Sequence, residues 1–582
     1  MSAPQTELAR KSSQLRPDAH VGDITLRDRS IRWLENVIFF AIAVLVIAIP
    51  HPTPVVLWGI RVIWLLWAVR LLLGKNHLRL RPLYLPIFVF VALVFLSTVH
   101  SYEPLLSWDR IERFAQLLIV LPIAENLKTV RRMKLLVALL LASSMISAMR
   151  TGWQYVHGIG TKLVAVAPRS ALGQRGVLSD DIVQEINGHP TRTPEQFRKA
   201  LEATRNDAEL HLRLARAWPY YERVDRVVPR AALDEWLAWP GAKIARGRPV
   251  RAQGHFYHYV PYAGLMMELA LIAFGLLLTC PVRRIGLRLL LGIIFAALLA
   301  CLVATLSRAH LGALLVACLV MFCIQVRGWL RAAAVAAFVV AIIVGAVWLR
   351  RERGVSWYSA DDAGTEFRLL MWRDSPRLIR EHPLLGIGPD SELGDTRRWN
   401  LEAYRRYPLV GHFHSSPIEI AVTCGLPALA ALVWLLAAYF RLVIGLLRRF
   451  GDPFARQLGT APTLYTTGMA PNPAAPNTAG TAPNGGPTPN TTGAAPNPVR
   501  ATLNRLVAGL NRIGTVPTRA HDPRADWFPR GLVLGFLGGA IAVVIASFVH
   551  YIIGDAEVVI LVWLSMAMAI AMTRLAEITE VM

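Results

Sequence analysis

The chain has 582 residues, of which 54% are apolar and only 17% charged, with a mean hydropathy of +0.41. A soluble globular protein carries about a quarter charged residues, so this composition excludes an ordinary soluble enzyme. A formal net charge of +23 would suit a nucleic-acid binder, but the basic residues stand in short clusters between apolar runs, on no single face or tail, which excludes that reading.

A spanning helix needs about 20 consecutive apolar residues. Candidate spans lie near 33–50, 54–73, 83–99, 111–124, 133–149, 257–279, 287–306, 309–326, 331–349, 415–440, 531–550 and 557–573. The first run lacks a small-residue cleavage site after it, so it reads as a retained anchor. With the N-terminus inside, alternate loops carry Arg70, Lys75, Arg79 and Arg81; Lys128, Arg131, Arg132 and Lys134; then Arg283, Arg284 and Arg288. Arg327 and Arg331, then Arg441, Arg448 and Arg449, continue the bias, which sets the orientation.

The expected fold class is an all-α polytopic membrane protein of about twelve helices with a small α+β domain inserted. Five spans occupy 1–149, an outer insert 150–254, four spans 255–349 and a second outer segment 350–414. A tenth span occupies 415–450, and two more occupy 527–582. Residues 451–526 are rich in Pro, Asn, Thr, Gly and Ala, and read as a disordered cytoplasmic linker that buries too little apolar surface to fold. Cys280, Cys301, Cys318, Cys323 and Cys424 fall in or beside apolar runs without metal-ligand spacing, and read as small buried hydrophobes.

In the insert, KLVAV (162–166), DIVQEI (181–186) and ELHLRLAR (209–216) alternate as strands do. Asn187-Gly188 marks a turn, and Thr193-Pro194 caps a helix over 193–204. This order of elements resembles a bacterial PDZ domain, with GIGTKLVAV (158–166) in the place of its carboxylate-binding loop and VLSDDIVQEING (177–188) in the place of its Gly-Asp-x-Ile stretch. Asp180 stands where that family has Gly. The resemblance implies that backbone N–H groups of Gly158, Ile159 and Gly160 take the C-terminus of a periplasmic protein partner. A spacer that binds nothing is the alternative.

The second outer segment carries the chemistry. Arg308 ends a span, where it either snorkels to the interface or serves a site. Arg368 and Arg373 fall five apart on a helix beginning near Thr365 and lie on adjoining sides, whereas Arg377 shares the face of Arg373. They form either a solvated surface or an anion clamp, since guanidinium binds phosphate as a fork. His412 and His414 flank Phe413 just before a span. They read as interfacial histidines, a weak metal pair or a general base. No acidic cluster stands beside them in sequence, so a metal is not favoured. Glu268 and Glu419 are carboxylates within spans, functional candidates unless each pairs with an arginine.

Four pieces in order resemble the O-antigen ligase and O-antigen polymerase family. They are GHFYHYVPYAGLMMELAL (254–271), Ser307-Arg308 at the end of a span, Arg368-x-x-x-Trp372 followed by HPLLGIGPD (382–390), and HFHSSPIEIAVTCGLPAL before the next span. Ser415 stands where the family has Asn after its key histidine. The resemblance implies a glycosyltransferase of the bacterial inner membrane, acting at the periplasmic face on an undecaprenyl-diphosphate-linked glycan and needing neither metal nor other cofactor. Arg308 and Arg368, assisted by Arg373, would hold the diphosphate. His414 would take the acceptor's proton, with His412 positioning it, and the anomeric centre would invert. Lipid A–core is the favoured acceptor, with another lipid-linked repeat (a polymerase) or a protein side chain (an O-oligosaccharyltransferase) as alternatives. Among readings of another class, about twelve spans also suit a transporter or flippase, although no internal repeat is visible, and a PDZ-bearing membrane scaffold without enzyme activity is a further one.

Overall fold

A computed structural model describes residues 26–51, 53–74, 80–216, 222–249, 251–256, 258–326, 328–353, 363–407, 411–450 and 527–581. The linker read at 451–526 lies outside them. The chain is a mostly helical, multi-pass membrane protein. Among the described residues, nine helices are long and apolar enough to cross a membrane. They fall in α1 (Leu26–Ala48), α2 (Thr53–Leu73), α6 (Val130–His157), α9 (Tyr259–Thr279), α10 (Ile285–Ala304), α11 (Arg308–Gln325), α15 (Gly425–Arg449), α16 (Trp527–Ser547) and α17 (Ala556–Val581). Helix α3 (Tyr84–Val99) and the apolar part of α12 (Trp329–Arg353) are shorter apolar helices.

Nine such helices stand against about twelve expected: the runs at 83–99 and 331–349 are the shorter helices α3 and α12, and two further runs differ in form. The run at 111–124 is a broken helix: α4 (Pro104–Ala115), a 3-10 turn (Gln116–Ile119) and α5 (Val120–Asn126). Pro122 has no N–H to give the carbonyl four residues back, so regular α-helical bonding fails there. The run at 415–440 splits into α14 (Ser416–Thr423) and α15, because Gly425 adopts a left-handed φ of +86°. An alanine there would press its Cβ within 2.2 Å of the Leu384 carbonyl oxygen.

The centre of the bundle is α9, α16 and α17, each buried along most of its length. Lipid tails are as apolar as leucine, so close packing of small residues must hold such helices together. Here a Cβ on Gly275 of α9 would lie 2.4 Å from the Gly531 carbonyl oxygen and 2.6 Å from the Gly535 nitrogen of α16. The two backbones therefore touch, and overfilling this contact should cost about 1–3 kcal/mol or more. Gly535→Val is expected to lower the thermal unfolding temperature of the detergent-purified protein; an unchanged temperature would deny the close approach.

Contacts assign the two ends of the bundle. At one end Glu35 pairs with Arg70 (3.1 Å) and Lys128 (2.5 Å), Arg574 donates to the Leu127 carbonyl (2.5 Å), and Arg530 donates to Gln325 (2.7 Å). These residues mark the start of α1, the end of α2, the start of α6, the end of α11, the start of α16 and the end of α17. The N-termini of α9 and α11 and the α16–α17 connection therefore lie at the other end.

The insert stands at that other end, following α6. It is an antiparallel sheet of β1 (Gly160–Val164), β2 (Ile182–Ile186), β3 (His189–Pro190), β4 (Glu209–Arg216), β5 (Glu222–Pro229) and β6 (Lys243–Gly247). The order is β5-β4-β2-β1-β6, with β3 on β2. Helices α7 (Pro194–Ala203) and α8 (Arg230–Ala238) cover it through Phe197, Leu233 and Trp236. Thr193 caps α7 by accepting from the Gln196 N–H, as its sequence indicates. The elements expected over 162–216 are present, and β5, α8 and β6 extend the sheet beyond them.

Candidate functional site

Helix α13 (Ala363–Glu381) buries Phe367, Met371, Ser375 and Leu378, one stripe at helical spacing. The chain then turns through HPLLGIGPD, and the glycines of this motif have a specific use. Ile387 and Gly388 donate to the carbonyls of Val422 (3.0 Å) and Thr423 (2.8 Å) at the end of α14. Gly388, at φ +99°, passes so close to Ser101 that a Cβ would meet its Oγ at 2.1 Å. Ser101 in turn bonds Ser107 (2.6 Å) and Ser391 (2.9 Å), and Ser107 donates to the Pro389 carbonyl (2.5 Å). The motif is thereby wedged between the α3–α4 corner and the α14–α15 break, which delivers Asp390 and Glu392 into the interior.

The 411–415 hairpin is pinned at Phe413. Its N–H donates to Glu419 Oε2 (2.8 Å), and its carbonyl accepts from Trp372 Nε1 (2.7 Å). His414 follows in a left-handed conformation, φ +53°, which costs a non-glycine residue of order 1 kcal/mol and persists only when its surroundings enforce it. Phe367 packs edge-on against the His414 ring at 5.8 Å.

The two histidines have opposite surroundings. His412 Nδ1 lies 3.1 Å from Glu392, 3.3 Å from Glu419 and 3.9 Å from Asp390. Burial opposes a charge there, but Glu419 and Glu392 outweigh it and push His412 up to about 10. Arg110 Nη2 approaches Nε2 at 3.0 Å, and a guanidinium only donates, so this contact favours a bare Nε2. Both influences keep a proton on Nδ1. Burial, reinforced by Glu419, raises Glu392 to about 7. Burial also acts on His414, reinforced by Arg368, His412 and His258, and holds it down to about 3. His414 is therefore neutral, with a ring nitrogen able to accept a proton.

The acidic residues around His412 correct the sequence reading, which found none beside it. Asp390, Glu392, His412 and Glu419 offer ligand atoms within 4.8 Å of one another, the spacing of a cation site. A cation on Nδ1 would move the imidazole proton to Nε2, directly against Arg110 Nη2, so the donor set fits a metal poorly.

Behind His414 stands a second group. Ser307 Oγ and His310 Nδ1 are 2.7 Å apart, and the His310 ring stacks on His550 at 5.0 Å. The His550 carbonyl accepts from the Ser416 N–H and hydroxyl, each at 3.2 Å. Burial first, then His310, Arg368, His414 and His258, holds His550 well below the ordinary histidine value. Of the residues singled out from sequence, Arg368, His412 and His414 are brought together. Arg308 opens α11, next in sequence to Ser307. Arg373 lies on the exposed side of α13. Glu268 is elsewhere: it is buried in α9 with Oε1 unpartnered among the described residues, beside a small cavity lined by Gly535, Gly539 and Ser565.

The GIG loop of the insert has other partners. Gly158 N–H donates to the Gln154 carbonyl (2.9 Å), Ile159 N–H donates to the Gly247 carbonyl (2.8 Å), and Gly160 pairs within the sheet with Gly247. Strand β6 thus occupies the edge of β1 along which an incoming peptide would lie, and the loop does not present the expected cradle.

Sequence reasoning missed Arg110, Asp390, Glu392, His258, His310 and Tyr551. The local signals were the Gly-Pro-Asp of the motif and the histidine two residues after Arg308. Nothing local marks Arg110.

Arg368 and the neutral His414 imidazole thus stand together at one end of a polytopic helical bundle. Residues 269–433 match the family model described as O-antigen ligase. That match supports a glycosyltransferase-like enzyme with a lipid-linked glycan donor and a lipid acceptor. No curated protein matches the chain.

Proposed function

We propose that the protein transfers a glycan from undecaprenyl diphosphate to an acceptor hydroxyl at the periplasmic face of the inner membrane, with lipid A–core as the acceptor. The observation that carries this reading is a neutral, pinned His414 within the electrostatic reach of Arg368. The basic clusters gathered at the opposite end of the bundle support the orientation, since they favour the cytoplasmic side.

In this mechanism Arg368 and Arg308 hold the diphosphate and offset the charge that grows on it as it leaves. Arg373, on the exposed side of α13, would meet only the outer part of the donor. The acceptor O–H gives its proton to His414 while its oxygen bonds the anomeric carbon. The C–O bond to the diphosphate breaks on the opposite side, its electron pair staying with the phosphate oxygen, so the centre inverts. A free imidazole held near 3 is a weak base, but a bound diphosphate neutralises part of the arginine field that lowers it. Because His412 Nδ1 keeps its proton, His412 positions the 411–415 segment and takes no proton, and the step as proposed uses no metal.

Deletion of the gene followed by gel analysis of surface lipopolysaccharide tests this reading. Loss of the whole O-antigen ladder with lipid-linked polymer retained is the expected result. A single-repeat band indicates a polymerase, and a normal ladder with unmodified glycoproteins indicates transfer to protein. A normal ladder with normal glycoproteins overturns the enzymatic reading.

A further inference from the structure

Arg110 lies far outside the family-matched segment, in the broken helix α4, and only 4% of it is exposed. A buried guanidinium must satisfy its donors or suffer a large desolvation penalty. Its partners come from three separate stretches of chain. Nε bonds Asp390 (2.7 Å), Nη2 approaches His412 Nε2 (3.0 Å), and Nη1 approaches the Gly554 carbonyl (3.4 Å). Its Cζ also sits 5.7 Å from the ring centroid of Tyr551, whose ring packs against His412 at 5.0 Å. Arg113, one turn on, donates to the same Gly554 carbonyl (3.2 Å).

Each partner meets a different guanidinium nitrogen, Nε, Nη1 or Nη2, which only a forked group offers. A lysine would keep the charge but present one point. The contact to Nε2 also fixes the direction in which the His412 ring faces. Nδ1 of that ring lies 3.1 Å from Glu392 and 3.3 Å from Glu419, and Glu419 Oε2 accepts the Phe413 N–H. A continuous chain of contacts thus runs from Arg110 through His412 and Glu419 to the backbone of Phe413, the residue before His414.

We infer that Arg110 is a positioning residue for the transfer reaction: by joining the 387–392 turn, the 411–415 segment and the 551–555 connection, it fixes the His412 ring and with it the placement of His414. This inference rests on the proposed glycan transfer, and Arg110 touches neither donor nor acceptor in it.

The test is a double-mutant cycle on the full-length protein in proteoliposomes, with a polyprenyl-diphosphate-linked glycan as donor. Arg110→Lys should lower kcat on the order of 10- to 100-fold, as misplacement of a reacting group does, while the donor KM changes little. His412→Gln should lower kcat comparably. The double variant should be no worse than His412→Gln alone, because both act through one contact. Losses that multiply, or an Arg110→Lys protein with wild-type kcat, overturn the inference. If Arg110→Lys does not accumulate, Asp390→Asn, which leaves the other guanidinium contacts in place, takes its role in the cycle with the same expectations. Failure of the parent reading looks different. The wild-type protein then transfers nothing from this donor, or His414→Ala transfers as well as wild type, and the inference falls with it.

Discussion

His414→Ala is expected to abolish glycan transfer while the protein remains folded and inserted. A positioned general base contributes about 10²- to 10⁴-fold; His412 has its proton committed, and His310 and His550 are buried. Transfer of labelled glycan from the lipid-linked donor, normalised to protein that elutes as a single species in detergent, is the measurement. Transfer within the wild-type range by the alanine variant would remove His414 from the chemistry.

The pH dependence has a definite sign. His414 is held near 3, so its base form predominates from pH 5 upwards, and the rate should show no acid limb from this imidazole between pH 5 and 7. Stability behaves differently. An unfolded histidine takes up its proton near 6.5, whereas folded His414 does so only near 3, so this residue destabilises the fold progressively as pH falls through that window. His258 and His255, each lowered to about 4 by burial and neighbouring arginines, act in the same direction. The unfolding temperature should therefore decline on acidification below 6.5, and less steeply in His414→Ala.

Arg368→Lys is expected to impair donor use strongly. Lysine preserves the charge but not the paired N–H geometry, and losing one charge-assisted hydrogen bond worth about 1.5–3 kcal/mol corresponds to roughly 10- to 150-fold. The loss should fall on the donor KM, in contrast to the kcat loss at Arg110. Arg373→Lys, at an exposed position, should do much less. Equal effects at 368 and 373 would argue against a clamp built around Arg368.

Much of the bundle was legible from hydropathy alone, because every backbone polar group in hydrocarbon must be satisfied within its own helix. What escaped was where that regularity stops: Pro122 interrupting one run, and Gly425 dividing another to admit the Leu384 turn. In the insert, the alternation of 209–216 and the Thr193 cap marked β4 and α7 correctly, while β5 and β6 depend on pairing partners that no local window contains. The site shows the same division. His414 and Arg368 could be picked out through a family-like motif. The carboxylates around His412 could not, because Asp390 and Glu392 precede it by some twenty residues and are carried in by glycine turns. Arg110 is 280 to 444 residues from its partners, and its charge pattern in α4 resembles any interfacial helix.

The last two helices are also the most enclosed, and α16 lies backbone to backbone against α9. During synthesis, then, a nascent chain threaded into the bilayer as far as residue 450 holds an open slot at its middle, with the glycine face of α9 turned to lipid and no Tyr551 or Gly554 for Arg110 to meet. The core can therefore close only once the final hairpin has entered that slot, because Gly275 of α9 meets Gly531 and Gly535 of α16 backbone to backbone.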